Sequence, residues 1–323
     1  MSAAVVFQQM VVIFFLVMLG VISYHKKWIN VDTSRSLSAL IVNITNPCLL
    51  ITSAITAENK VSGRLLLMGM LSAIVVYAVL LLCSLVIPHI LRIDHSEHYA
   101  YKMLTVYGNT GFIGIPLASA VIGPECLIYV AMHNLIFNFL IYTHGYKLIR
   151  SAAKNQLPPE EAAALLDTAP GGVLSTLKNF INVGTLSSIL TVILYLMDLK
   201  VPTVINDTFL YSGRATTYLS MTVLGISVAT MNLKEIFRQK KLYVFAALRF
   251  LLIPIVCLFA LRSFITDPMI LGVCALMLSV PCANMPLMLS KEYHLDETVI
   301  ASAIILTTLL SLITIPVVTL FVG

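Results

Sequence analysis

Apolar residues fill this chain in blocks of about twenty, and each block ends at a short cluster rich in Lys, Asp, Gly or Pro. That block length is what an α-helix needs to cross a bilayer core. With the clusters as boundaries, helical spans are predicted at about 4–24, 36–56, 65–91, 99–122 and 126–149, then at about 180–198, 209–231, 242–264, 268–290 and 298–321. The fold class expected is all-α integral membrane, with ten transmembrane helices.

Composition points the same way. Hydrophobic residues make up 59% of the 323 residues and charged residues 11%, at a mean hydropathy of +0.95, whereas a soluble domain carries about 25% charge. The lipid bilayer is therefore the solvent, and ten spans leave no length for a soluble domain. The net charge of +5 comes from basic residues scattered between apolar blocks, which suits membrane orientation and not nucleic acid. Loops on one side collect fourteen Lys and Arg, including Lys26, Arg92, Lys147, Lys240 and Lys291; the other side has five: Lys60, Arg64, Lys200, Arg214 and Arg262. The richer side is expected in the cytoplasm, with both termini outside a cell membrane crossed many times. The first block has no basic leader and Gln8 and Gln9 interrupt its start, so it reads as an uncleaved span. The six cysteines sit in or beside apolar blocks without CxxC spacing and read as small buried hydrophobes.

A polar stretch at 151–178 contains Pro158 and Pro159 and an acidic, alanine-rich run; it reads as a cytoplasmic linker with one short helix. It separates residues 1–150 from 179–323, five spans from five. Because five is odd, a duplicated second half enters the membrane upside down, the inverted-repeat logic of many secondary transporters. The halves echo each other in Pro116-Leu117 and Pro286-Leu287, each in the fourth span of its half, and in Pro88 and Pro254 in the third.

The candidate site lies in those fourth spans. Gly108, Gly111, Gly114 and Pro116 fall within nine residues, so helix propensity collapses there and a proline removes an amide donor. Ser279 to Pro286 holds Pro281 and Pro286 around Asn284. Irregular backbone at membrane depth survives only when buried in protein or lining a wet cavity, so paired breaks predict a substrate site where the broken helices cross. Gly111, Gly114, Pro116, Pro281 and Pro286 are the crossover candidates. Asn109, Thr110 and Asn284 are the substrate-binding candidates beside them, able to donate and accept hydrogen bonds. In the fifth span Asn138 reads equally as ligand contact or helix glue, and His133 and Asn134 read better as glue. Asn43, with Asn46 and Pro47, forms a weaker third polar kink. Packing kinks are the bland alternative, since Gly and Pro are common in membrane helices.

All fifteen acidic residues fall in loops or at span ends, so the site is neutral or positive and suits an anion. Arg249, the one basic residue well inside a span, reads either as snorkelling to the cytoplasmic face or as attracting an anion. Asp94, His95, Glu97 and His98 read as a solvated loop, and no metal or other cofactor is expected. An enzyme is not expected either, because His133 is the only histidine well inside a span. A sensor without transport is distinguished by whether substrate flux occurs.

At GNTGFIGIPL (108–117), IFNFLIYTHGY (136–146), LRFLLIPI (248–255) and TTLLSLITIP (307–316) the chain resembles the auxin efflux carrier family, related to bile-acid symporters, and the resemblance covers essentially all of it. It implies two inverted five-helix repeats. A scaffold would come from the first two helices of each repeat and a mobile transport domain from the last three, working by elevator-type alternating access in a homodimer. It places binding asparagines at Asn109 and Asn138 and crossover prolines at Pro116 and Pro286. The short central loop departs from plant members with a long regulatory loop, which puts plant-type auxin export in doubt. Small organic anions such as malate are the substrates implied. A sodium-coupled, bile-acid-type uptake is the alternative, and coupling to H⁺ or Na⁺ is left open.

Overall fold

The computed structural model describes residues 3–56, 61–168, 180–197, 201–230 and 239–322, and among them there are helices and turns but no strand. In chain order the helices are α1 (Ala3–His25), α2 (Val31–Ile55), α3 (Gly63–Ile90), α4 (His98–Val106), α5 (Thr110–Val121), α6 (Pro124–Gln156) and α7 (Pro159–Thr168). They continue as α8 (Val183–Met197), α9 (Thr203–Ala229), α10 (Lys240–Arg262), α11 (Pro268–Ser279), α12 (Met285–Glu292) and α13 (Thr298–Val322).

Six of them, α1, α2, α3, α6, α10 and α13, are long and apolar enough to cross a membrane, so the chain is a multi-pass membrane protein. The other four predicted spans are not among these six. The fourth and ninth are each halved, into α4 and α5 and into α11 and α12. The sixth is α8, with 15 described residues, and the seventh is α9, which is long enough but carries Asp207 and Arg214. Of the predicted linker, 151–156 continues α6 and, after a bend at Leu157, 159–168 forms α7. Positions 169–178 lie outside the described residues, as do Glu58, Lys60, Asp198, Lys200, Lys234 and Arg238.

Three helices share one device. A wide π-type turn at Ile41–Thr45, Thr110–Gly114 or Leu248–Leu252 comes just before Pro47, Pro116 or Pro254. Proline lacks the N–H and clashes with the carbonyl four residues back, and a wider turn relieves both. A fourth π turn, Ile141–Gly145 in α6, has no proline; there the Tyr107 hydroxyl donates to the Leu140 carbonyl at 2.9 Å.

Glycines set the closest packing. A Cβ on Gly225 of α9 would collide with the Val17 carbonyl oxygen, and one on Gly20 of α1 would stand 2.5 Å from that of Thr222. The α1 and α9 backbones therefore touch, as small residues permit between membrane helices. Gly213 of α9 meets the backbone of Leu49 in α2 in the same way, and α8 also packs along α2. A continuous buried core runs through α3, α4, α6, α11 and α13, with Tyr107, Tyr129, Leu276 and Ile300 fully enclosed. Phe7 and Phe15 on α1, Leu67 and Leu82 on α3, and Val256 and Phe259 on α10 are exposed, an outer surface suited to lipid.

Candidate functional site

The two interrupted helices cross. After α4 the chain turns extended at Tyr107, and after α11 it does so at Val280. The two stretches run antiparallel and pair through Gly108 and Cys282. The Asn109 amide donates to the Pro281 carbonyl at 2.7 Å, and the Ala283 amide donates to the Tyr107 carbonyl at 3.0 Å. Backbone that has left the helix is thus satisfied by its counterpart in the other half, as burial requires. Gly108 permits the approach, since a Cβ there would lie 3.0 Å from a Val280 methyl.

The breaks fall ahead of the two prolines expected to cause them. Pro116 follows the π turn of α5, and Pro286 is the second residue of α12, a position where a missing N–H costs nothing. Pro286 thus starts the second half of its broken helix, whereas Pro116 lies inside α5. Pro281 alone lies in a break, supplying the carbonyl that Asn109 uses. Gly111 and Gly114 lie in the π turn, and Gly114 lets Met277 of α11 come close, 3.1 Å from an added Cβ.

Beside the crossing is a cavity of about 460 Å³. Its walls bring together seven asparagines: Asn43 and Asn46 from α2, Asn109 and Asn284 from the crossing, Asn134 and Asn138 from α6, and Asn182 ahead of α8. Thr110, Tyr142, Ser187 and Ser188 add hydroxyls, while Leu50, Phe112, Ile115, Phe137 and Met285 supply apolar surface. Among the described residues, no lining side chain is charged. All five candidate binding residues, Asn43, Asn109, Thr110, Asn138 and Asn284, are in this wall. Of the crossover candidates only Gly111 lines it.

Three helices begin at this wall. The Asn109 side chain caps α5 by accepting from the Phe112 amide at 3.0 Å, and Asn182 caps α8 by accepting from the Thr185 amide at 3.0 Å. Asn284 occupies the cap position of α12, and its carbonyl accepts from the Met288 amide at 3.0 Å, but its side chain makes no cap bond. Each helix start carries a partial positive charge of about half a unit, so the uncharged cavity presents amide donors and positive dipole ends together.

Asn134 and Asn138 share one face of α6 and both reach the cavity. His133, one residue away, faces elsewhere, fully buried with Nδ1 3.0 Å from the Tyr129 carbonyl of its own helix. Asn46 joins the wall and donates to the Gly111 carbonyl at 3.3 Å, while its buried Oδ1 has no partner. Asn182 is the residue the sequence reading missed. Its signal was an Asn three residues ahead of a Thr at the start of an apolar run, the mark of a helix cap. Arg249 does not snorkel: its side chain is fully buried behind the crossing. Where α3 gives way to α4, the rings of His89 and His95 lie against His98, at 5.2 and 4.7 Å; among the described residues no three His, Cys, Asp or Glu converge as a metal site.

A family model described as "Membrane transport protein" matches residues 5–319. A curated relative from Methanocaldococcus jannaschii, described as an uncharacterized transporter, is 26% identical over 316 residues, covering 94% of this chain and 94% of its own.

Proposed function

The chain belongs to the membrane transport protein family, the auxin efflux carriers, and on that premise we propose that it is a secondary carrier of a small organic anion, a carboxylate of the size of malate. The observation that carries this reading is the cavity wall, with seven asparagines, three helix starts and, among the described residues, no charged side chain. A carboxylate accepts hydrogen bonds and cannot donate them, so amide N–H groups and helix N-termini match it. An acidic wall would repel it, and a basic one would hold it too tightly to release.

Alternating access by an elevator movement accounts for how the wall is built. Asn43, Asn46, Asn182 and Ser187 come from α2 and the α8 region, whereas Asn109, Asn134, Asn138 and Asn284 come from the crossing and α6. The site thus lies between two groups of helices, and the Asn46 to Gly111 bond spans them. Reciprocal packing supports an inverted repeat of ten spans. The first helix of each half packs on the second of the other, α1 on α9 and α8 on α2, and within each half the third packs on the fifth, α3 on α6 and α10 on α13.

Purified protein in liposomes, assayed for uptake of a panel of labelled carboxylates, tests the proposal. Saturable uptake that falls at least tenfold in Asn138→Ala supports it, the loss expected from a hydrogen bond to a charged group at about 1.5–3 kcal/mol. Absence of uptake of every carboxylate refutes it.

A further inference from the structure

Arg249 is in α10, the second residue of its π turn, and is fully buried. Its Nε donates to the Thr105 carbonyl at 2.5 Å and its Nη1 to the Leu278 carbonyl at 2.6 Å. Thr105 is the second-last residue of α4, and Leu278 is the second-last residue of α11. One guanidinium therefore caps, at equivalent positions, the two half-helices that end at the crossing.

The electrostatics match. Each helix C-terminus carries a partial negative charge of about half a unit, so two meeting there amount to roughly one negative charge, which one guanidinium cancels. The ionisable groups around Arg249 are Tyr77, Cys83, Cys257 and Cys282, none of them a carboxylate. Nη2 is buried without a hydrogen-bond partner, and the guanidinium carbon lies 4.8 Å from the Phe250 ring centre. A buried charge persists only when something compensates it, and here the compensation comes from helix ends.

Carriers with discontinuous helices commonly bind their coupling cation at half-helix C-termini and the carbonyls of unwound backbone. We infer that Arg249 is a tethered cation filling the half-helix carbonyl site at the crossing, so that this site needs no sodium ion. Arg249 is a positioning residue: it acts on the substrate through the crossing that it holds together. Its meaning for coupling rests on the carrier reading, but its test does not use substrate.

The test is thermal unfolding of purified wild type, Arg249→Lys and Arg249→Ala in sodium chloride or in choline chloride at equal ionic strength, with ethylguanidinium added as a separate probe. The inference expects the same Tm for wild type in both salts. It expects Arg249→Ala to unfold roughly 5–10 °C lower and to recover with sodium or with ethylguanidinium. Arg249→Lys should lie between the two and ignore sodium, because an ammonium supplies the charge but not the two-pronged reach. Saturable stabilisation of wild type by sodium overturns the inference. An unchanged Tm in Arg249→Ala does so too, as does a loss that neither cation restores. If Arg249→Ala cannot be purified, the wild-type and Arg249→Lys sodium responses decide. Failure here leaves carboxylate transport standing, and failure of carboxylate transport leaves this result readable.

Discussion

Replacing Asn109 by Asp separates the two roles this side chain holds. Its Oδ1 accepts from the Phe112 amide at 3.0 Å and so caps α5, while its amide lies in the cavity wall. Aspartate caps a helix as well as asparagine does, so α5 should start unchanged. What alters is the face toward the substrate, where an N–H₂ donor becomes an anionic oxygen. At about 4 Å and an effective dielectric constant of about 20, two like unit charges repel by roughly 4 kcal/mol. The lost donor adds about 1.5–3 kcal/mol. At about 1.4 kcal/mol per tenfold, even half the sum predicts a loss of carboxylate affinity of roughly 100-fold. The assay is isothermal titration with the best transported carboxylate, alongside unfolding of the ligand-free protein. Asn109→Asp should keep the wild-type Tm within a few degrees while binding collapses. Retained binding in a protein of normal stability would refute the assignment of Asn109 to the substrate.

The packing, the movement and the loop chemistry each give a further test. Gly225→Leu puts a side chain into the Val17 carbonyl, and Gly213→Leu does the same at Leu49. Both should lower the Tm by at least several degrees or prevent folding, read by fluorescence-detected size exclusion, whereas Gly63→Leu, with open space at its Cβ, should change nothing. In a background free of the native cysteines, Asn46→Cys with Gly111→Cys, cross-linked across the two helix groups, should stop transport and regain it on reduction; undiminished transport when cross-linked would contradict relative movement there. Partial burial, with Asp94 and Asp296 nearby, raises the pKa of Glu97 above 4.5 despite the opposing Lys241. The folded state then binds more protons than the unfolded one, so stability should rise as pH falls from neutral toward 4.5. Glu97→Gln should flatten that slope in unfolding midpoints measured against pH. Asp296 has the opposite sign: its hydrogen bonds from Thr298 lower its pKa from 3.8, so its contribution is present at neutral pH and lost in strong acid.

The spans were legible because lipid imposes a simple rule, about twenty apolar residues for each crossing, and α1, α3 and α13 obey it, as does α10 apart from Arg249. The break in the fourth span was legible because glycine and proline act locally at 108–116. Its position was less so. Pro116 marked the neighbourhood, but the helix ends at Val106, where extended residues gain partners from Pro281 and Ala283, and no local rule reports a partner about 170 positions away. The wall followed the same division. Asn109 and Asn284 stood beside obvious breaks, and Asn138 interrupted an apolar helix. Asn182 and Asn46 belong to the wall because α8 and α2 pack on each other and on α6 beside the crossing, and only tertiary structure conveys that. Arg249 shows the limit most clearly: a lone arginine in a span fits snorkelling equally well until the carbonyls of Thr105 and Leu278 are found on either side of it.

The central claim, an uncharged asparagine wall that carries a carboxylate across the membrane, is tested most directly by carboxylate flux into liposomes containing wild type or Asn109→Asp, with orientation and protein content matched. The account predicts saturable wild-type uptake and a loss of about 100-fold in the variant. Equal flux through both proteins would contradict it.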